Sequence, residues 1–311
     1  MSLAFVFPGQ GSQAVGMLAD LAAAEPQVTA TFAEASEALG YDLWKLVSEG
    51  PAEELNQTHI TQPAMLSAGI AVWRIWQEKG GAMPAVLAGH SLGEYTALVA
   101  AGALAFKDAV SLVAERGRLM QEAVPAGTGS MAAILGLDDA KVIEVCESAA
   151  QGDVVSAVNF NANGQVVIAG QVAAVERAVE LAKEAGAKRA VVLPVSVPSH
   201  CALMKPAAEK LAEKLATITI NAPQIPVINN CDVSKAADAD AIRDALVRQL
   251  YSPVRWVETI QTMAGEGVDT LVECGPGKVL VGLNKRIVKE MKALAVYDSA
   301  GLESALAELS A

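Results

Sequence analysis

Apolar positions along the chain follow two patterns: short unbroken runs, and longer stretches in which they return every three or four residues. The runs predict strands at 3–7, 85–88, 130–136, 154–160, 165–169, 189–195, 225–229 and 269–273. The helical spacing predicts helices near 26–38, 41–48, 61–79, 92–102, 107–123, 138–150, 171–185, 202–216, 238–250 and 253–264. Another helix follows the turn Gly275-Pro276-Gly277, and a Gly-rich turn fills 9–16. The turn cluster Pro125-Ala126-Gly127-Thr128-Gly129 marks a change of pattern. From there the order is βαββαβ, the split-βαβ arrangement of ferredoxin-like folds, with Asn161-Ala162-Asn163-Gly164 joining its middle strands. On either side strands and helices alternate as in a parallel sheet. The expected fold is α/β: a parallel-sheet core domain from 1–125 and 197–311, and an inserted small ferredoxin-like domain at 126–196.

The strand at 85–88 runs directly into Gly89-His90-Ser91-Leu92-Gly93, and a helix follows. This is the G-x-S-x-G nucleophile elbow in the strand–turn–helix setting its geometry requires, which makes the core hydrolase-like. The tight turn lifts the Ser91 hydroxyl from the sheet, and the new helix aims unpaired N–H groups at whatever Ser91 attacks. A serine needs a base, most often histidine, and the chain has only three. His90 adjoins Ser91 but points elsewhere on a tight turn, as a packing or hydrogen-bonding group. His59 precedes a helix start and reads as a surface or capping residue. His200, in Val197-Pro198-Ser199-His200-Cys201, sits where the chain returns from the insertion, and is the expected base. Its orienting group is not evident from the residues.

On the predicted helix 107–123, Lys107, Asp108, Ser111, Glu115, Arg118 and Glu122 share one stripe. Ala109, Leu112, Val113 and Met120 lie opposite, with Arg116 among them. A guanidinium on a dry face persists only if paired, either with an internal carboxylate or with a ligand's. The turn Pro8-Gly9-Gln10-Gly11-Ser12-Gln13 lacks the phosphate-loop signatures. It fits better as a loop lending a second N–H to the oxyanion that the elbow serves.

The chain has 311 residues, room for about two domains, and is 52% hydrophobic, enough for a large core. A formal charge of −12 argues against a nucleic-acid or anionic-membrane surface. The N-terminal segment lacks a basic region and reads as a buried strand, and the apolar run after the elbow is too short to span a bilayer. Cys146, Cys201, Cys231 and Cys274 have no pairing or metal-ligand spacing, as in a reduced cytoplasmic protein without a metal site.

Phe-Pro-Gly-Gln-Gly-Ser-Gln at 7–13, Thr-Gln-Pro-Ala at 61–64, Gly-His-Ser-Leu-Gly-Glu-Tyr at 89–95, Arg116, Val-Pro-Ser-His at 197–200 and Gly-Pro-Gly-Lys-Val-Leu at 275–280 resemble the malonyl-CoA:acyl carrier protein transacylase family over essentially the whole chain. The resemblance implies malonyl transfer through a malonyl-serine on Ser91, with His200 as base and no bound cofactor. It implies an oxyanion hole from the backbone N–H groups of Gln10 and Leu92, and Arg116 as partner of the malonyl carboxylate. The backbone carbonyl of Gln249 would orient the histidine, and Gln62, Asn159 and Asn161 would line the cleft. Cys201 departs from the serine expected there. The partner would be an acyl carrier protein carrying phosphopantetheine. Its acidic surface would need a local basic patch, for which Lys188, Arg189, Lys285 and Arg286 are the candidates. The alternatives are a serine esterase of related fold, a non-catalytic scaffold, and an acyltransferase of a polyketide pathway or for another acyl unit.

Overall fold

The first strand, β1 (Leu3–Phe7), is apolar at every position and buried throughout, as a strand covered on both faces must be. In a computed structural model that describes residues 2–195 and 197–309, the other strands are β2 (Val86–Gly89), β3 (Gly129–Leu135), β4 (Val155–Ala162), β5 (Gln165–Gln171), β6 (Arg189–Val192), β7 (Val227–Ile228), β8 (Thr270–Cys274) and β9 (Lys292–Val296). The expected boundary residue Ser196 and the terminal residues Met1, Ser310 and Ala311 lie outside the described residues.

Two sheets form. The larger has the order β7-β2-β1-β8-β9 with every neighbouring pair parallel, so β1 and β2 lie side by side near its centre. In such a sheet the loops leaving the C-terminal strand ends converge on a crevice. The smaller has the order β4-β5-β3-β6 with every neighbouring pair antiparallel, the ferredoxin-like arrangement expected from βαββαβ. The helices Asp139–Ala150 and Val172–Glu184 close its own core through Val142, Val145, Cys146, Val175, Ala178 and Val179. This smaller sheet is fastened to the larger unit at β4. Phe160 N–H donates to the Val254 carbonyl at 3.0 Å and Val254 N–H donates to that of Val158 at 2.8 Å.

Several elements depart from expectation. The helix expected at 61–79 spans Thr58–Glu78, with Pro63 inside it, so His59 lies in its first turn rather than ahead of it. The strand expected at 225–229 keeps only two residues, and the helix expected at 202–216 opens with a tight turn at Ala202–Met204 before Lys205–Ala216. The short helices Ala19–Ala24 and Ala52–Leu55, the edge strand β9 and the helix Ser299–Leu309 complete the structure without having been expected. On the helix Phe106–Ala123 the charged stripe is outward, with Arg118 paired to Glu115 and Glu122, while Arg116 is 1% exposed. Among the described residues no helix is long and apolar enough to cross a membrane.

Candidate active site

The elbow is built by two glycines that cannot be anything larger. A Cβ on Gly89 would fall 1.8 Å from the Gly93 carbonyl carbon, and one on Gly93 would fall 2.1 Å from the Phe7 carbonyl oxygen. The helix Leu92–Ala100 therefore starts hard against β2 and β1, and Ser91 takes up the turn at φ 52°, ψ −110°. That is a backbone conformation L-residues adopt only when their surroundings enforce it. Gly9 approaches the same turn. Its own Cβ would meet the His90 carbonyl oxygen at 2.5 Å, so the loop after β1 lies against the elbow. The N–H groups of Gln10 and Leu92 make no hydrogen bond to another protein group among the described residues.

His200 also has a positive φ, 65°, and is held by its N–H donating to the Leu250 carbonyl at 3.0 Å. Its Nδ1 lies 2.8 Å from the Gln249 backbone carbonyl. A carbonyl only accepts, so Nδ1 carries the proton and Nε2 presents its lone pair. That lone pair faces the Ser91 hydroxyl, 2.8 Å away. The ring is 3% exposed, and its pKa is pushed down to about 3, first by burial and then by the Arg116 charge. The imidazole is thus neutral and able to accept a proton.

Arg116 reaches this pair from the Phe106–Ala123 helix. One guanidinium nitrogen donates to Gln62 Oε1 at 2.8 Å, and the other to Gln249 Oε1 at 3.0 Å and the Ser91 hydroxyl at 3.3 Å. The Tyr95 ring lies 5.2 Å from its centre, and its Nε is buried with no hydrogen-bond partner among the described residues. No carboxylate lies within ion-pair distance of it among the described residues. Of the two partners the sequence left open, the internal ion pair is not formed.

The remaining candidates are distributed around this centre. Gln62 is buried and holds Arg116. Asn161 lies 2.7 Å, Oδ1 to Nε2, from His90, whose ring also packs on Trp256 at 5.5 Å. His90 is thereby engaged away from the serine, and burial holds its pKa below the ordinary value. Asn159 pairs with Val254 across the junction of the two sheets, and its Oδ1 is buried with no hydrogen-bond partner among the described residues. The Gln10 side chain donates to Thr58. Lys188, Arg189, Lys285 and Arg286 are exposed, but Arg286 is engaged: it donates to Gln165 Oε1 at 2.5 Å and to the Asn163 carbonyl at 3.3 Å.

Two residues, Asn230 and Glu94, and the side-chain role of Gln249 escaped the sequence. Asn230, at the end of β7, accepts from Ser91 N–H at 2.7 Å and donates to the Gly89 carbonyl at 2.7 Å, tying the elbow from behind. Glu94, 2% exposed, accepts from Asn230 N–H and from Gln249 Nε2, both at 2.9 Å. The Gln249 side chain bridges Glu94, the Ser91 carbonyl and Arg116. The signal for Glu94 was its isolation as the one acid in Leu-Gly-Glu-Tyr-Thr-Ala-Leu-Val-Ala. For Asn230 it was a polar pair, Asn229-Asn230, at the C-terminal end of a buried parallel strand.

A positioned serine, a neutral histidine aimed at it, free N–H groups beside it and a buried cation with no carboxylate in ion-pair contact among the described residues suit acyl transfer from a substrate bearing a carboxylate. The acyl transferase domain family matches residues 4–305. A malonyl CoA-acyl carrier protein transacylase of Salmonella typhimurium is 64% identical over 305 residues, covering 98% of this chain and 99% of that protein. The crystal structure of an acyl carrier protein S-malonyltransferase from Vibrio cholerae is 65% identical with a TM-score of 0.96, covering 98% of this chain and 99% of that one. A malonyl-transacylase solved in complex with its type II PKS acyl-carrier protein is 61% identical with a TM-score of 0.98, covering 99% of this chain and all of that one. By these likenesses, spanning nearly its full length, the chain belongs to the malonyl CoA-acyl carrier protein transacylases of the acyl transferase family.

Proposed function

We propose that this chain takes a malonyl group from malonyl-CoA onto Ser91 and passes it to the phosphopantetheine thiol of an acyl carrier protein, supplying malonyl units to fatty acid synthesis. The observation that carries the substrate is Arg116: a buried guanidinium beside the serine, with neutral amide oxygens as partners and, among the described residues, no carboxylate within ion-pair distance. A bidentate malonyl carboxylate supplies an anion in direct contact, which Glu94, linked to Arg116 only through Gln249, does not. In the first half-reaction Ser91 Oγ attacks the thioester carbonyl while His200 Nε2 takes the hydroxyl proton. The N–H groups of Gln10 and Leu92 take the oxyanion. The tetrahedral species collapses, the proton passes to the departing CoA sulfur, and a malonyl oxyester remains on Ser91. In the second half-reaction His200 takes the carrier thiol's proton, the thiolate attacks the ester, and the proton returns to Ser91. CoA leaves before the carrier's arm enters, so the kinetics are ping-pong. Gln249 orients His200 through its carbonyl, and Gln62 holds Arg116 in place.

The same reading makes 126–196 an inserted unit on a core formed by 1–125 and 197–311, and makes the protein cytoplasmic. Lys188, Arg189 and Lys285 remain the candidates for docking an acidic carrier. Arg286, bound to the hairpin of the smaller sheet, contributes less than the sequence suggested. Supply of a polyketide carrier is a second reading, favoured by the relative solved with its type II PKS acyl-carrier protein. The test is intact mass spectrometry after mixing with malonyl-CoA. A malonyl adduct that maps to Ser91, is absent in Ser91→Ala, and is discharged by a holo carrier protein is expected. In His200→Ala the adduct should form on the order of 10²–10⁴-fold more slowly. Hydrolysis without transfer to the thiol would instead point to an esterase.

A further inference from the structure

Behind the Ser91–His200 pair lies an acid that no step of the transfer uses. Glu94, in the first turn of the Leu92–Ala100 helix, is sealed from solvent. Its Oε2 accepts from Asn230 N–H and Gln249 Nε2. This contact decides which way the Gln249 amide faces. With a carboxylate on one side and a guanidinium on the other, only one orientation satisfies both: nitrogen to Glu94, oxygen to Arg116. Gln249 is therefore a relay between a buried acid and the buried cation that awaits the substrate.

Resting on the malonyl reading above, we propose that Glu94 is a positioning residue that couples malonyl loading to uptake of a proton: as the substrate carboxylate takes the Arg116 charge, Glu94 loses its share of that cation and protonates. Oε2 continues to accept both hydrogen bonds, and the proton resides on Oε1. The site then holds one anion against one cation, before loading as Glu94 with Arg116 and afterwards as malonyl with Arg116. Without the proton, two buried anions would compete for a single guanidinium, a costly arrangement where water cannot screen them.

The groups facing Glu94 leave it as the one that responds. Asp232, on the loop after β7, is held ionised by hydrogen bonds and by Arg248, which also pairs with Asp244. The Cys231 thiol and the Tyr95 hydroxyl are pushed up to about 12 by burial and stay neutral. His200, across the Gln249 carbonyl, is already neutral. Burial raises Glu94 to about 7, with its hydrogen bonds and the Arg116 charge pulling against that rise. Weakening the pull of Arg116 lifts it further, through the range where it changes state.

Two measurements on the full chain test this. The first is the pre-steady-state rate of acylation, as kcat/KM, between pH 5.5 and 9 with malonyl-CoA and with acetyl-CoA. A coupling of one pKa unit makes the wild-type malonyl rate fall about tenfold from the acid to the alkaline plateau. The acetyl rate should show no such fall, and Glu94→Gln, which keeps the acceptor for Asn230 and Gln249 but cannot titrate, should have a level malonyl profile. Glu94→Ala should be slow at every pH, because it loses the hydrogen bonds as well. The second, which needs no variant, is proton uptake on mixing wild-type protein with malonyl-CoA near pH 7.5, followed with an indicator dye. About half a proton per Ser91 acylated is expected. The serine proton itself leaves on the CoA thiol and adds nothing at that pH. No uptake in the wild type, or an unchanged alkaline fall in Glu94→Gln, overturns the coupling while leaving malonyl transfer intact. Absence of any malonyl adduct in the wild type overturns the transfer reading itself.

Discussion

Taking a guanidinium out of water costs several kcal/mol unless anions or well-placed acceptors replace the lost hydration. At Arg116 the acceptors are two amide oxygens and the Ser91 hydroxyl. Burial draws its pKa below the ordinary value, with Tyr95 and Glu94 opposing that shift. An acyl group with a carboxylate completes this site, whereas acetyl leaves the charge where it was. A buried charge left without a contacting counter-ion costs about 3–5 kcal/mol, so malonyl should be preferred over acetyl by about 10²–10³ or more. Arg116→Ala should remove that preference by depressing malonyl transfer while acetyl transfer stays level or rises. Arg116→Lys should restore only part of it, since the charge returns without the bidentate fork. The measurement is kcat/KM for both thioesters in the three proteins. An equal loss for both substrates would make Arg116 a purely structural cation. Its burial was legible in the sequence, because the helical wheel set it among Ala109, Leu112 and Val113. Its partners were not, because Gln62 and Gln249 come from helices 54 and 133 positions away, and no local pattern records which distant amide meets a given charge.

Among the elements, the elbow was the most legible, because its chemistry demands a fixed local sequence: a strand, two glycines around a serine, and a helix. The distances now give those glycines a cost. In Gly93→Ala the new methyl meets the Phe7 carbonyl, which belongs to β1 in the middle of the sheet and cannot retreat. The Leu92–Ala100 helix must shift instead, moving Ser91 away from His200. A loss of stability of about 3 kcal/mol or more is expected by chemical denaturation, together with near-complete loss of acylation. Gly282, in the helix Val279–Ile287, would place a Cβ where, among the described residues, no atom outside its chain neighbours and own helix backbone lies within 4 Å, and it serves as the contrast. Gly282→Ala should stabilise by about 0.5–1 kcal/mol through helix propensity alone. Equal effects at the two positions would show that contact at the elbow is not what constrains Gly93. The elements that the sequence missed or drew too long are those set by tertiary contacts rather than by their own pattern. β7 keeps two residues of strand because only Val227 and Ile228 register with β2. β9 is a half-exposed edge strand whose pairing with β8 supplies what its composition does not.

At the scale of the whole molecule, the parallel sheet gathers the loops after β1, β2 and β7 into one place, which the alternation of strands and helices foretold as a class without saying which loops would meet. The loop after β8 has a different duty. Glu273, buried in β8, turns its carboxylate toward the start of the Val279–Ile287 helix, where Oε2 accepts from Val281 N–H at 2.8 Å while Oε1 has no hydrogen-bond partner among the described residues. Burial raises its pKa from 4.5 to about 7, against the pull of the helix N–H groups. Below pH 4.5 the acid is protonated in folded and unfolded chains alike, and its contribution to stability is fully present. As pH rises from 4.5 toward 7 the unfolded chain releases the proton while the folded protein keeps it, so that contribution is progressively lost. Above 7 both states are ionised, and the accumulated penalty is about 3 kcal/mol. Glu273→Gln has no proton to release. Its stability relative to the wild type should therefore climb by about 3 kcal/mol between pH 4.5 and 8, whatever its offset at the acid end. The titrations of Glu94, His90 and His200 are common to both proteins and cancel in that difference. Urea denaturation of the pair across this range is the measurement, and a difference that stays constant with pH would mean that the folded protein holds Glu273 at an ordinary carboxylate pKa, with its charge fully stabilised by the helix start.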